Sequence, residues 1–256
     1  MSQDRSGPGE GAATRLPVMS SERADPDRPR PRARSLGDEA LVEALTGEGC
    51  PLCAYVDRIA PQYLDSLLYQ HTTDRAYRDR FIDGGGFCAR HVRAAVIADT
   101  AGNGDGVGGG IFLRSQLGAR RRALQRAGGW RAARRIREAT RPAWDCPVCE
   151  NERTLAASAS QLLARQAGSD AAWADWVTTA PWCLTHLGDL LAAAAEEGTD
   201  ALTTLRDGQL AAMADIEARL DALAHDSSHG RRGQLTPEVR ASVQEAAGIL
   251  AGDERR

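Results

Sequence analysis

The sequence predicts an all-α protein built from two related helical halves. Aromatic residues make up only 5% of the chain while alanine and leucine are abundant, a composition that favours helices over strands. Apolar residues recur at the three- and four-residue spacing of amphipathic helices. One pattern of cysteine, proline and histidine also occurs twice, 96 residues apart at its first half and 95 at its second. That recurrence indicates an internal duplication.

The first predicted region is a disordered arm over residues 1–34. It is rich in Pro, Gly, Ser, Asp and Arg and ends in the basic stretch DRPRPRAR. Such a segment cannot bury enough apolar surface to offset the entropy lost on ordering. The first helix is expected after Ser35, because Ser35 and Asp38 form a capping pattern ahead of Leu41 and Leu45.

The first helical repeat is predicted over residues 35–100. Cys50 suits a helix N-cap, and Pro51 suits the first helical position, where the N–H that proline lacks would have no intrahelical partner. Apolar residues then continue at helical spacing, with Pro61 predicting a kink. A second helix and three glycines lead into FCARH at 87–91, where another apolar helix begins.

A connector follows over residues 101–144. Its first ten residues, AGNGDGVGGG, are predicted to be a flexible loop, and the remainder is a helical segment with ten arginines and one glutamate. Clustered arginine attracts phosphate, so a nucleic-acid contact is one interpretation. The favoured one is internal, because residues 150–256 carry 17 acidic residues and nine arginines. Helices from that region packed beside the connector would neutralise it, so specific nucleic-acid binding is not expected.

The second repeat is predicted over residues 145–200 and repeats the first in order. A helix follows Cys146, a proline turn precedes the second CxxH, and an apolar helix begins there. Residues 201–256 are predicted to form C-terminal amphipathic helices, of which the last begins at Thr236 and Pro237.

The repeated pattern predicts metal binding. Each half supplies three thiols and one imidazole, and all six cysteines are used. Ligands at i and i+3 point to one side of a helical turn, so each pair can occupy two corners of a tetrahedron. Packing of small buried side chains is the alternative, but it leaves the repeated histidines unexplained. The predicted metal ligands are Cys50, Cys53, Cys88, His91, Cys146, Cys149, Cys183 and His186.

Each predicted site is assigned to one half of the chain. The first would join Cys50 and Cys53 to Cys88 and His91, and the second would join the remaining four ligands. The matched internal spacing favours this pairing, since a duplicated unit would have arisen as something that bound metal by itself. Exchange of the CxxH pairs between halves is the alternative that the spacing leaves open.

Zinc is the metal that the pattern favours, in two sites. Zinc accepts sulfur and nitrogen ligands equally well in a Cys3His tetrahedron. An iron–sulfur cluster is the competitor, because three thiolates and a histidine can hold one. A c-type haem is excluded, since Ala54 and Glu150 stand where CxxCH requires histidine.

The sequence favours a metal-binding helical scaffold or regulatory protein over an enzyme. The alternative is a redox protein or sensor that uses an iron–sulfur cluster or CxxC thiols. A thioredoxin-type motif needs a strand–helix–strand frame, and no alternating β-branched run flanks either CPxC. No carboxylate pair, phosphate-binding loop or serine nucleophile is identified, so no catalytic residue is predicted and no substrate or partner is named.

The paired motifs CPLC…GFCARH and CPVC…WCLTH resemble a bacterial family catalogued as a domain of unknown function, with the same duplicated CPxC…FCxxH signature. The resemblance spans residues 36–200. It implies a mainly helical structure with paired metal-ligand motifs, and it implies no activity. The aromatic residue of the second copy is Trp182 where the family has phenylalanine.

Location follows from what the sequence lacks. No apolar run approaches the ~20 residues of a membrane span, and the first residues carry no apolar signal-peptide core. The expected location is cytoplasmic, where cysteines more often bind metal or take part in redox chemistry than form structural disulfides.

Overall fold

The computed structural model describes residues 28–100, 106–198, 201–228 and 236–252, and these form helices and connecting turns without a strand. The all-α prediction is therefore confirmed. None of the helices in this part of the chain is long and apolar enough to cross a bilayer. The helices are α1 (Leu36–Thr46), α2 (Pro51–Gln70), α3 (Arg75–Asp83), α4 (Ala89–Thr100), α5 (Val107–Gln125), α6 (Ala132–Thr140), α7 (Pro147–Ser169), α8 (Ala171–Thr178), α9 (Leu184–Glu197), α10 (Ala201–Ser228) and α11 (Pro237–Ala251).

The predicted helix starts lie where the sequence places them. The Ser35 hydroxyl accepts a hydrogen bond from the N–H of Asp38 at 3.2 Å, and the Asp38 carboxylate accepts one from the N–H of Arg34 at 2.8 Å. Cys50 and Cys146 are the N-caps of α2 and α7, each followed by proline. Helix α2 continues through Pro61 to Gln70.

The helices recur in the same order along the chain. Each helix from α6 to α10 begins 94 to 96 residues after its counterpart from α1 to α5. The predicted loop at 101–110 is shorter than expected, because α5 already begins at Val107; residues 101–105 lie outside the described part. The arginine-rich segment is interrupted at Gly128 and Gly129. Its first part lies in α5, the last helix of the first half, and its second part includes α6, the first helix of the second half.

The two largest hydrophobic clusters of the described residues each combine parts of both halves. One core contains Leu41 and Leu45 of α1, the start of α2 and the tryptophans of the second half. The other contains the phenylalanines of the first half together with Cys146 and Val148 at the start of α7. Helices α2 and α7 pack against each other between the cores. The start of each CPxC helix is therefore buried in the core of the opposite half.

The counterpart helices α1 and α6 differ in how they pack. Leu41 and Leu45 of α1 are fully buried, whereas the residues 96 positions later are the exposed Arg137 and Arg141. Only Ala139 of α6 is buried. Helix α6 packs mainly on α5, at the surface of the first half.

The expected neutralisation of the arginines by the acidic second half is not what the structure shows. Among the ion pairs of the described residues, the one that involves the segment 111–144 joins Arg134 to Glu138 within α6. Helix α5 packs on α2, α3, α4 and α6. The reason is topological, because α5 ends the first half and Phe112 buries one of its faces in the core of that half.

Part of the predicted disordered arm lies against α8. The Arg28 guanidinium pairs with Asp175 at 2.8 Å and lies 4.1 Å from the centre of the Trp176 ring. The Trp176 indole N–H donates to the carbonyl of Pro29 at 2.8 Å. These contacts place Arg28 and Pro29 against the second half, although their composition predicted disorder; residues 1–27 lie outside the described part.

Candidate metal centres

Eight side chains form two clusters of three thiols and one imidazole. Site A contains Cys50, Cys53, Cys183 and His186, and site B contains Cys88, His91, Cys146 and Cys149. Within each cluster, one potential ligand atom from every residue lies within 4.8 Å of the others. All eight residues predicted as ligands are brought together in this way.

The predicted pairing of ligands within each half is wrong. Each site joins the CPxC of one half to the CxxH of the other. The spacing could not reveal this exchange, because the distance from CPxC to CxxH is nearly the same in both halves. The packing of α1 accounts for the crossed pairing. Leu41 and Leu45 pack with the tryptophans of the second half, and the first CPxC, which follows α1 in the chain, lies in the same core.

Site A is buried throughout. Its ring atom Nδ1 of His186 lies 3.4 Å from Cys50 Sγ, 3.4 Å from Cys53 Sγ and 3.3 Å from Cys183 Sγ. The sulfur atoms of Cys53 and Cys183 are 3.8 Å apart. Helix starts supply the ligands, with Cys50 and Cys183 at the N-caps of α2 and α9.

Site B repeats these distances with greater access to solvent. Its ring atom Nδ1 of His91 lies 3.3 Å from each of the three sulfur atoms. The sulfur atoms of Cys88 and Cys149 are 3.7 Å apart. His91 and Cys146 are buried, whereas Cys88 and Cys149 are half-buried.

These distances fit the edges of a tetrahedron around one ion. With metal–sulfur bonds of about 2.3 Å and a metal–nitrogen bond of about 2.0 Å, tetrahedral geometry gives edges of about 3.8 Å between sulfurs and about 3.5 Å between sulfur and nitrogen. A disulfide would bring the sulfurs to about 2.05 Å, and none of the six cysteines, all of which the structure describes, forms a disulfide. Both clusters can therefore hold a metal ion.

The pKa values of two thiols, one in each site, shift in opposite directions. Contacts with the thiols of Cys183 and Cys53, together with burial, raise the pKa of Cys50 far above its ordinary value. Burial alone would also raise the pKa of Cys146, but the His91 ring and the N–H groups of Cys149 and Cys88 lower it to about 6. Three thiolates in so small a volume require a positive charge among them, which a cation supplies.

A carboxylate supports the histidine of site B. Glu152 Oε1 lies 3.3 Å from His91 Nε2, the ring nitrogen that faces away from the sulfurs, and its other oxygen accepts a hydrogen bond from Arg90. Burial alone would raise the pKa of Glu152, but His91 and Arg90 lower it below its ordinary value. The corresponding positions of site A hold Val56 and Thr185, so the two sites have different surroundings.

Sequence reasoning missed the residues that position these ligands. Gln116 accepts from the N–H of Phe87 at 3.1 Å and donates to the carbonyls of Phe87 at 2.9 Å and Gly85 at 3.2 Å. Gln209 of the second half donates to the carbonyl of Trp182 at 3.2 Å. The available signal was two glutamines at matching places in α5 and α10.

The end of α11 covers site A. Gly252 has a φ of +76°, and a Cβ there would lie 3.0 Å from Cys53 Sγ and 3.5 Å from Cys183 Sγ. Only glycine adopts this backbone conformation readily and leaves room for the sulfurs. The C-terminal helix thereby takes part in closing the buried site, which the ligand motifs did not indicate.

Comparisons of this chain with protein-family models, with curated proteins and with solved structures find no match.

Proposed function

We propose that this protein is a zinc-binding helical scaffold or regulatory protein in which two zinc ions join the halves of the chain. The observation that carries the proposal is the pair of Cys3His clusters, each with sulfur–nitrogen distances of 3.3–3.4 Å. Zinc is the usual ion of a tetrahedral site with mixed sulfur and nitrogen ligands.

The spacing of the sulfurs supports a single ion over an iron–sulfur cluster. A cluster binds its thiolates through different iron atoms, so its ligands must stand further apart than those of one ion. Here all four ligand atoms of each site lie within 4.8 Å of one another, and the sulfur pairs Cys53–Cys183 and Cys88–Cys149 are 3.8 Å and 3.7 Å apart.

The number of ligands supports a structural role. Catalytic zinc keeps a coordination position for water or substrate, whereas structural zinc is closed by four protein ligands. Each cluster offers four, and every ligand of site A is buried. Because each site takes ligands from both halves, bound zinc would act as a clamp between them.

The recurrence of five helices in one order supports descent of the two halves from a duplicated unit. Crossed ligand pairs fit an ancestral dimer whose two copies exchanged their CPxC segments before fusion.

The test is metal analysis of the full chain, purified anaerobically and without chelator. The expected result is a colourless protein with two zinc ions per chain. His91→Asn should retain one zinc, whereas the control His71→Asn, a histidine outside both sites, should retain two. A brown protein that contains iron and sulfide would contradict zinc, and a metal-free protein with six reactive thiols would contradict metal binding altogether.

A further inference from the structure

The arginines at the surface of the first half carry positive charge without matching acidic neighbours. The segment 111–144 holds ten arginines and one glutamate, and Arg134–Glu138 is the ion pair it makes within the described part of the chain. Uncompensated guanidinium groups that face one space form a binding site for an anion.

Three of these arginines line one cleft between α5 and α6. The cleft has a volume of about 530 Å³, within the range of small-molecule sites. Arg120 lines it from α5, Arg126 from the C-cap of α5 and Arg135 from α6. Ile82, Ala123 and Trp144 add apolar and aromatic lining. The lining therefore combines positive charge with apolar and aromatic surface.

Backbone carbonyls hold two of the guanidinium groups. Arg120 donates to the carbonyls of Ala139 at 3.1 Å and Gly85 at 2.9 Å. Arg135 approaches the carbonyls of Arg126 and Gly128, each at 3.5 Å. A carbonyl orients a guanidinium but does not cancel its charge, so Arg120 and Arg135, which both line the cleft, remain oriented cations.

The one carboxylate that lines the cleft is already engaged. Glu138 accepts a hydrogen bond from Arg134 at 2.9 Å, and Arg134 is not among the lining residues. The three lining arginines thus keep a net positive charge for an incoming ligand.

The helix that borders this cleft packs differently from its counterpart in the other half. There the counterpart of α6 is α1, which buries Leu41 and Leu45 in the core. With Arg137 and Arg141 at those positions, α6 stays at the surface and leaves the space open. The space for a ligand therefore exists because α6 carries arginines where α1 carries core leucines.

We propose that this cleft binds a phosphate ester of mononucleotide size, with the phosphate on the arginines and a flat ring beside Trp144. Guanidinium groups match phosphate oxygens with paired hydrogen bonds. Trp144 lines the cleft and is half-exposed, with the Arg141 guanidinium 5.2 Å from the centre of its ring. An aromatic group would stack on the exposed part of this ring or take the place of that guanidinium.

The experiment is calorimetric titration of the zinc-loaded full chain with adenosine monophosphate, inorganic phosphate and adenosine. The monophosphate should bind more tightly than either fragment. Arg135→Gln should weaken its binding roughly tenfold, because a charge-assisted hydrogen bond is lost, and Trp144→Ala should weaken it as well. Arg137→Gln is the matched control, since it removes the same charge from α6 at a residue that does not line the cleft; its binding should stay within about twofold of wild type.

Three outcomes would overturn the proposal. One is no heat of binding with the monophosphate at millimolar concentration. Another is equal weakening by Arg135→Gln and Arg137→Gln, which would indicate a diffuse charged surface. The third is tight, salt-sensitive binding of a DNA duplex that displaces the monophosphate and is equally strong in all variants. That result would assign the surface to nucleic acid.

Discussion

One carboxylate distinguishes the surroundings of the two centres. Glu152 holds the outer nitrogen of His91 while Nδ1 faces the three sulfurs. Hydrogen bonds of this kind fix the orientation of a ligating histidine and make it a stronger donor to the metal. In site A the equivalent position is Val56, which is fully buried among apolar side chains. Glu152 therefore gives the histidine of site B a charged partner that Val56 cannot give the histidine of site A.

Glu152→Ala should lower the zinc affinity of site B about 10- to 100-fold, because an outer-shell partner of the ligating histidine is lost. Zinc affinity of site A should not change. The measurement is alkylation of Cys88 and Cys149 under competition with a chelator, compared with alkylation of Cys53 and Cys183. Glu150→Ala is the control, because Glu150 is exposed on the same helix and pairs with Arg153. Equal loss of zinc from both sites would show that Glu152 acts on the fold and not on its own centre.

At the scale of helices, two glutamines hold the loops that carry the CxxH motifs. The Gln116 side chain forms hydrogen bonds with three backbone groups of Gly85 and Phe87, the residues on either side of Gly86. A Cβ at Gly86 would lie 2.3 Å from the Gln116 side chain. The loop and the helix therefore fit each other only with glycine at 86. Gln209, which is buried, gives the second half a similar support.

Gln116→Leu should destabilise the protein by about 2 kcal/mol, because buried backbone groups lose their hydrogen-bond partner. Urea denaturation of the zinc-loaded protein measures this loss, and faster alkylation of Cys88 should accompany it. Gln125→Leu, at the exposed end of the same helix, should change stability by less than about 0.5 kcal/mol. If the two variants unfold at the same urea concentration, the hydrogen bonds of Gln116 contribute nothing measurable.

Local signals in the sequence predicted much of this architecture. Ser35 and the two Cys-Pro pairs mark helix starts through backbone chemistry that is complete within four residues. The partner of each CPxC could not be predicted, because it depends on which core receives α1. The glutamines were missed for a related reason: a polar residue in an amphipathic helix resembles a surface residue until the loop that it contacts is known. The arginine-rich segment was misplaced because its charge suggested a partner that the topology keeps away.

At the scale of the whole molecule, the crossed ligands make each centre depend on both halves. Metal binding and folding are coupled in sites of this kind, with structural zinc contributing about 10–16 kcal/mol in small zinc-binding peptides. Loss of one centre should therefore loosen contacts on both sides of the α2–α7 interface.

Cys50→Ser combined with Cys53→Ser should remove zinc from site A and expose Cys183 to alkylation, while Cys88, Cys146 and Cys149 stay protected. The reason is that Cys183 shares its ion with the first CPxC and not with the second. Mass spectrometry of the alkylated protein identifies the cysteines that react. The mirror variant, Cys146→Ser with Cys149→Ser, should expose Cys88 and leave Cys183 protected. Exposure of Cys88 in the first variant would contradict the crossed sites and would support pairing of the ligands within each half.

The spans of the two centres are nested. Site B joins residues between 88 and 149, and site A joins residues between 50 and 186. During synthesis on a ribosome, all ligands of site B are present once Cys149 has emerged. Cys50 and Cys53 are made first, but site A is complete only after His186 has emerged. A chain whose synthesis stops after Cys149 and before Cys183 has all four ligands of site B, whereas the thiols of Cys50 and Cys53 lack the other two ligands of site A.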